Sequence, residues 1–379
     1  VSGITAPTPP GPLPAAPTPA PIPSWNAAGS PYAQSTTVQS RPNPYVQAAK
    51  EPGAYASLYL ANLPLLRDQD DTGGAGFVAY YCACAYGQIS RSTLQMSADG
   101  TSYNAVDVLS NTASWGTCLN ALPPTVTPFA TDNTSQLTIA MVTTTLDLES
   151  VSWLDFVNGA NAALVGQEII QFRNASYNND GTITLSTFTR GRRGTEWACG
   201  THVAGEKIII LDTSWSMDVL ALARIGAPEY FKLQPPSTTL DSVAAVSFTF
   251  LGMDRKPYAP VNFQRQPSGP DLAVGWFRRT RMGGQLQDGL SSVPLCEQSE
   301  SYDAYILAAP YNGVAANRVT PASFVRSFLG LTVPALLYTA AEMAADGFVP
   351  STSTLHLVVF QNSATVGHGL PGACDLPPY

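Results

Sequence analysis

Charge is scarce in this chain. Asp, Glu, Lys and Arg supply 12% of its 379 residues, about half of the ~25% usual in a soluble globular protein. The balance of 19 Lys+Arg against 27 Asp+Glu gives a formal net charge of −8. That argues against specific nucleic-acid binding, which needs a basic surface. Histidine occurs only as His202, His356 and His368, too few for a His-based metal centre or triad. No apolar run approaches the ~18 residues of a transmembrane helix, and the long helix-former blocks of a coiled coil are missing. There is no C-x-x-C, no G-x-S-x-G and no H-E-x-x-H. No two of Glu168, Glu196, Glu206 and Glu229 have a spacing that assigns them a catalytic role. The expectation is a chain that is not an enzyme and that uses no cofactor and no metal.

What replaces the charge is neutral: Ser, Thr, Asn, Gln, Ala, Gly and Pro, beside an ordinary hydrophobic fraction of 45%. Such a surface suits packing against copies or partners. Proline is frequent, at 32 residues, and nine of them fall between Pro7 and Pro23. Proline fixes φ and removes a donor, so 1–50 reads as a Pro-rich extended arm or linker, with polyproline II at its start. The start at Val1-Ser2-Gly3 carries neither Met nor a signal-peptide pattern, and the chain is expected to be a fragment or processed product of a longer protein. The cysteines Cys82, Cys84, Cys118, Cys199, Cys296 and Cys374 are scattered. Cys82 and Cys84 share one face of a strand, where a disulfide would be strained. Buried free thiols, in a chain folded in a reducing cytosol, are the reading.

From residue 51 the texture is that of strands and turns. FVAYYCACA (77–85), QLTIAMVTT (136–144), AALVGQEIIQF (162–172), TITLSTFTR (182–190), EKIIIL (206–211) and VAAVSFTFL (243–251) are short runs of β-formers separated by Gly, Asn and Asp clusters. Residues 51–257 are therefore read as β-rich, in one or two domains, with about 150–212 inserted. Residues 258–379 carry LAVGWFR (272–278), YDAYIL (302–307), FVRSFLGL (324–331) and LHLVVF (355–360), which suggest a sandwich with Trp276 inside it. Helix is expected to be scarce, most clearly at Tyr338–Asp346, stopped by Gly347, with a short helical turn within Ser150–Asn161. The fold class is all-β, with barrel- or sandwich-like domains followed by a fibronectin type III-like sandwich.

Candidate binding residues cluster in R-G-R-R-G-T-E-W: Arg190, Arg192, Arg193 and Trp197. Guanidinium groups beside an aromatic could grip a carboxylate, a phosphate or a sugar. A salt bridge, for instance to Glu196 or Glu206, is the competing and stronger reading. Arg278, Arg279 and Arg281 form a second cluster with the same choice. Asp68, Asp70 and Asp71 lack the spacing of a calcium loop and read as a solvated loop. Gly74-x-Gly76 precedes a strand instead of opening a helix, so it marks a turn and not a dinucleotide site. Asn133 and Asn174 begin glycosylation-type triplets, which are common by chance.

Longer motifs carry a resemblance. G-Q-E-I-I-Q-F-R-N-A (166–175), T-R-G-R-R-G-T-E (189–196), P-E-Y-F-K-L (228–233), S-F-T-F-L-G-M-D-R-K-P-Y-A-P-V (247–261), D-L-A-V-G-W-F-R-R-T-R (271–281) and L-H-L-V-V-F-Q-N-S-A-T-V-G-H-G-L-P-G (355–372) lie in one order. Over roughly 55–376 they resemble the C-terminal portion of the large baseplate or tail-tip protein of gene transfer agents and related siphophages. The first 50 residues have no counterpart in the resemblance. Many members of that family carry an upstream domain related to glycoside hydrolases; none lies here, so no catalytic residue is carried over. The resemblance implies a structural protein of the virion, assembled in the bacterial cytoplasm. It would close the tail tube as a homotrimer among other tail proteins and help attach to a host glycan or receptor. The alternative is a carbohydrate-binding accessory region of a secreted glycan-degrading enzyme, or an adhesin.

Overall fold

The structure is a computed structural model that describes residues 57–72, 76–85, 91–125, 128, 130–143, 147–283, 293–311, 321 and 323–378. All fall in one compact unit, Tyr45–Tyr379; the Pro-rich stretch lies outside the described residues. The chain is all-β, built as a sandwich, a closed barrel inserted into it, and a second sandwich.

The first sandwich pairs a three-stranded sheet (Ser57–Ala61, Phe77–Ala85, Ser216–Ala221) with a four-stranded one (Val246–Thr249, Pro228–Gln234, Ser92–Ser97, Asn104–Leu109). Its central strand, FVAYYCACA, does not alternate because both of its faces are covered. Val78, Tyr80, Cys82 and Cys84 meet Leu94, Phe231, Leu233 and Phe250 in the sandwich core. From the opposite face Tyr81 packs with Leu164 and Ile169, and Ala83 with Trp115 and Ile209, all of them barrel residues. A continuous apolar run is what a strand buried on both sides requires.

The barrel closes in the order Lys207–Ile210, Trp115–Cys118, Thr131–Thr143, Ile183–Thr189, Glu168–Tyr177, Ala162–Val165 and back. It leaves the first sandwich after Asn104–Leu109 and returns to it at Ser216–Ala221, so the insertion begins upstream of the 150–212 span read from sequence. Its lumen is filled by Leu137, Ile139, Met141, Ile170, Phe172, Leu185, Phe188 and Ile208, which makes it a packed core and not a channel. The backbone comes close at Gly116, where a Cβ would stand 2.5 Å from the Ala140 carbonyl oxygen. The expected helical turn is the five-residue helix Trp153–Val157, N-capped by Ser152.

The second sandwich sets Val261–Ser268, Asp271–Phe277 and Ala335–Tyr338 against Arg326–Leu331, Tyr302–Leu307, Leu355–Ser363 and Gly372–Leu376, with the short Gly367–His368 at its margin. Trp276 is buried there against Tyr302 and Phe263. Among the described residues of this sandwich the helix is Ala340–Ala345, started by a Thr339/Glu342 capping box. It is shorter than Tyr338–Asp346 because Tyr338 is still in the sheet, opposite Leu272, and Asp346 is the C-cap.

Ion pairs bind the second sandwich to the rest, and they correct the reading of 68–71 as a solvated loop. Asp70 is buried, held by the Tyr81 hydroxyl at 2.9 Å and by Arg67. Asp71 meets Arg255 at 3.2 Å and Arg281 at 3.6 Å, while Asp68 meets Arg193 at 3.4 Å. Arg281 also pairs with Glu297, and Arg278 with Glu300. The carboxylates are thus partners for arginines at a junction. Asp254, which accepts from the Ala79 N–H at 2.8 Å, is pushed up to about 6 by burial.

The six cysteines are free thiols; Cys82, Cys84, Cys118 and Cys199 are buried, and Cys296 and Cys374 partly so. Burial raises the pKa of all four buried thiols, Cys118 to about 12, and the thiolate is the reactive form. Burial lifts Cys374 to about 12 as well, so a thiol-exchange reagent at neutral pH is expected to reach Cys296 first and at most Cys374 besides in the native protein, and all six after denaturation. Rapid native modification of a third cysteine, located by peptide mapping, would contradict this burial.

Candidate functional site

The R-G-R-R-G-T-E-W segment follows directly from the barrel strand Ile183–Thr189 and turns sharply through two glycines. Gly191 (φ 58°) and Gly194 (φ 83°) occupy the left-handed region, which glycine enters without penalty. Space demands them too: a Cβ at Gly191 would lie 2.6 Å from the Glu196 Cα, and one at Gly194 2.6 Å from the Tyr258 ring. The tightness of this turn sends its side chains in different directions.

Arg190 goes inward. Its guanidinium donates from Nε and one terminal nitrogen to the two oxygens of Glu168, at 2.7 and 2.9 Å, and to the carbonyls of Pro123 and Cys199. Glu168 is fully buried and also accepts from the Gly191 N–H (2.7 Å) and the Cys199 thiol (3.3 Å). His202 bridges onward, with Nε2 2.6 Å from Glu168 and Nδ1 2.7 Å from Glu206. Asp132 stands 3.6 Å from Arg190 on the other side. In this chain each cation lies between two carboxylates, the pairing that buried ions need, and it ties the end of the barrel to the turn. Arg190 is therefore not available to an external ligand.

Protonation follows from these contacts. Burial works against charge on His202, but the hydrogen bonds it donates to both carboxylates outweigh this and lift the imidazole to about 9. Burial would likewise raise Glu168, yet the bonds from His202 and Arg190 hold it below the usual glutamate value. A histidine whose folded pKa is raised contributes stability in full below its unfolded pKa of ~6.5. That contribution declines as pH rises towards 9. Urea midpoints measured from pH 6 to 9.5 are expected to fall across this window, and His202→Gln is expected to flatten the fall. An unchanged slope in the variant would exclude His202 as its source.

The other three candidates separate. Arg193 pairs with Asp68. Arg192 is exposed; partial desolvation and the neighbouring cations Arg193 and Arg279 push its pKa down. Glu196 binds Arg279 at 2.6 Å, and the Arg279 guanidinium lies 5.2 Å from the Tyr258 ring centre. Trp197 reaches a groove between barrel and first sandwich. The groove has a volume of about 430 Å³, and its aromatic lining is Tyr59, Trp197, Trp215 and Phe248, with Lys207 and Gln167 among its polar residues. The Lys207 ammonium lies 4.8 Å from the Tyr59 ring centre and 5.5 Å from that of Trp115.

Among the four named candidates, then, Trp197 alone lines this groove. Tyr59, Lys207 and Trp215 carry no sequence signal for this groove, because they sit on three separate strands or turns. Among the described residues no group of His, Cys, Asp and Glu is placed to hold a metal ion, and no helix is long and apolar enough to cross a membrane.

A family described as "Rcc01698-like, C-terminal" matches residues 113–209, a span that nearly coincides with the closed barrel. It is associated with gene transfer agent proteins. No curated protein matches the chain.

Proposed function

We propose that this chain is a non-enzymatic structural component of a phage-like tail tip or baseplate, which closes the tail tube and contributes to attachment to the host cell. The match of the barrel to a family associated with gene transfer agents carries this reading, and the motif order along 55–376 agrees with it. Three β-domains joined by buried or paired ions make a stiff element, as a tail tip requires. The low charge fits as well, since neutral hydrogen-bonding side chains enter an interface at less desolvation cost than ions. The helix Trp153–Val157 exposes Trp153, Leu154 and Val157 on the barrel surface, which suits contact with copies or other tail proteins.

In an assembled particle the chain would occupy the tail axis as a homotrimer. Mass spectrometry of purified particles is expected to find its peptides, and an image of the tail tip to show three copies around the axis. Particles without these peptides would refute the reading; six copies would refute the trimer.

A further inference from the structure

We infer that the groove beside Trp197 is a binding site for an acidic saccharide, such as a uronate-bearing chain. The inference rests on the attachment part of the proposed function and names the ligand of that step. Three observations carry it. First, the volume of about 430 Å³ lies in the ~300–1,000 Å³ range of small-molecule sites. Secondly, its lining includes Tyr59, Trp197, Trp215 and Phe248, and aromatic rings suit the apolar C–H face of a pyranose.

The third observation is charge. The lining contains one ionisable side chain of basic character, Lys207, and no carboxylate. Lys207 is exposed, and among the described residues its ammonium faces aromatic rings and makes no ion pair. Glu206, the adjoining acid, is turned to His202 at 2.7 Å, and that imidazole keeps its proton up to about pH 9. The Glu206 carboxylate lies close against Gly166 of the groove wall, where its charge is met by the protonated His202 ring. A cation resting on rings, with no ion-pair partner among the described residues, complements an anionic ligand with an apolar face. A purely apolar occupant would leave that ammonium covered and unpaired, which is costly.

The test titrates the full chain with a glucuronate-containing tetrasaccharide and with the same tetrasaccharide after carboxyl reduction, followed by tryptophan fluorescence and saturation-transfer NMR. The acidic form is expected to bind saturably, at least tenfold more tightly than the reduced form. Lys207→Gln, on the surface and harmless to folding, is expected to erase that difference. Trp197→Ala is expected to abolish binding of both. Arg192→Gln, outside the groove, should leave the preference intact. Equal binding of the two saccharides, no saturation by either, or loss of the preference in Arg192→Gln would overturn the assignment. So would an apolar dye bound in the groove and not displaced by the acidic saccharide, because a protein side chain would then be the better occupant. Particle composition is measured separately. Particles that contain the chain, with no saccharide binding, sink this inference alone; binding without particle association sinks the tail-tip reading instead.

Discussion

Replacing Glu168 by alanine lowers stability by about 3–5 kcal/mol, the cost of breaking a buried ion pair by removing one partner. The side chains of both Glu168 and Arg190 are wholly excluded from solvent. Deleting the carboxylate therefore leaves the guanidinium facing only the Pro123 and Cys199 carbonyls and the more distant Asp132. The Gly191 N–H and His202 Nε2 lose their acceptor as well. Chemical denaturation followed by circular dichroism reads the loss. Glu168→Gln keeps the shape and some of the hydrogen bonds, so it is expected to fall between wild type and Glu168→Ala. The double change Glu168→Leu with Arg190→Met removes both charges and is expected to cost less than the two single changes added, because the penalty lies in the orphaned partner. A loss below about 1 kcal/mol for Glu168→Ala would mean that water reaches Arg190 and that the network is not closed.

The same network shows what could be read from the sequence and what could not. Arg190 stood out because three arginines crowd one turn, and a salt bridge was the stronger reading of them. Its partner was not legible: Glu168 sits 22 positions upstream, on a neighbouring barrel strand, and strand pairing across a turn carries no sequence period that marks two side chains as facing each other. Strand positions were legible where alternation is local, as in YDAYIL. Closure of the barrel was not, because it depends on Lys207–Ile210 pairing with Trp115–Cys118, segments about ninety residues apart. The groove was hidden for the same reason. Tyr59, Trp197 and Lys207 come together only when the barrel is docked on the first sandwich, and each alone is an ordinary strand or turn residue. Low charge was legible but ambiguous; the structure shows that much of the charge present is committed to internal pairs.

Trp276 was legible as a core residue, and it supplies the second large effect. Trp276→Ala is expected to destabilise the second sandwich by about 3 kcal/mol, the lower end of the ~3–5 kcal/mol usual for Trp→Ala in a core. The ring is 3% exposed and stands edge-on to Tyr302, centres 5.4 Å apart, with Phe263 at 6.2 Å. Leu272, Val274, Leu336 and Leu357 complete the same core, and neighbours fixed in two facing sheets cannot collapse into the space left behind. What moderates the loss is the indole N–H, which is buried with no hydrogen-bond partner among the described residues; an unpaired buried donor costs about 1–3 kcal/mol, and alanine removes it. Trp276→Phe is therefore expected to stay within about 1 kcal/mol of wild type, since it gives up part of the ring but also the orphaned donor. Scanning calorimetry distinguishes the cases. The barrel keeps its own core of Leu137, Ile170, Phe172 and Phe188, so Trp276→Ala should split off an early transition from the sandwich while the barrel transition holds its temperature. A single transition shifted as a whole would instead show that the junction of Asp71, Arg255 and Arg281 couples the domains more strongly than either core holds alone.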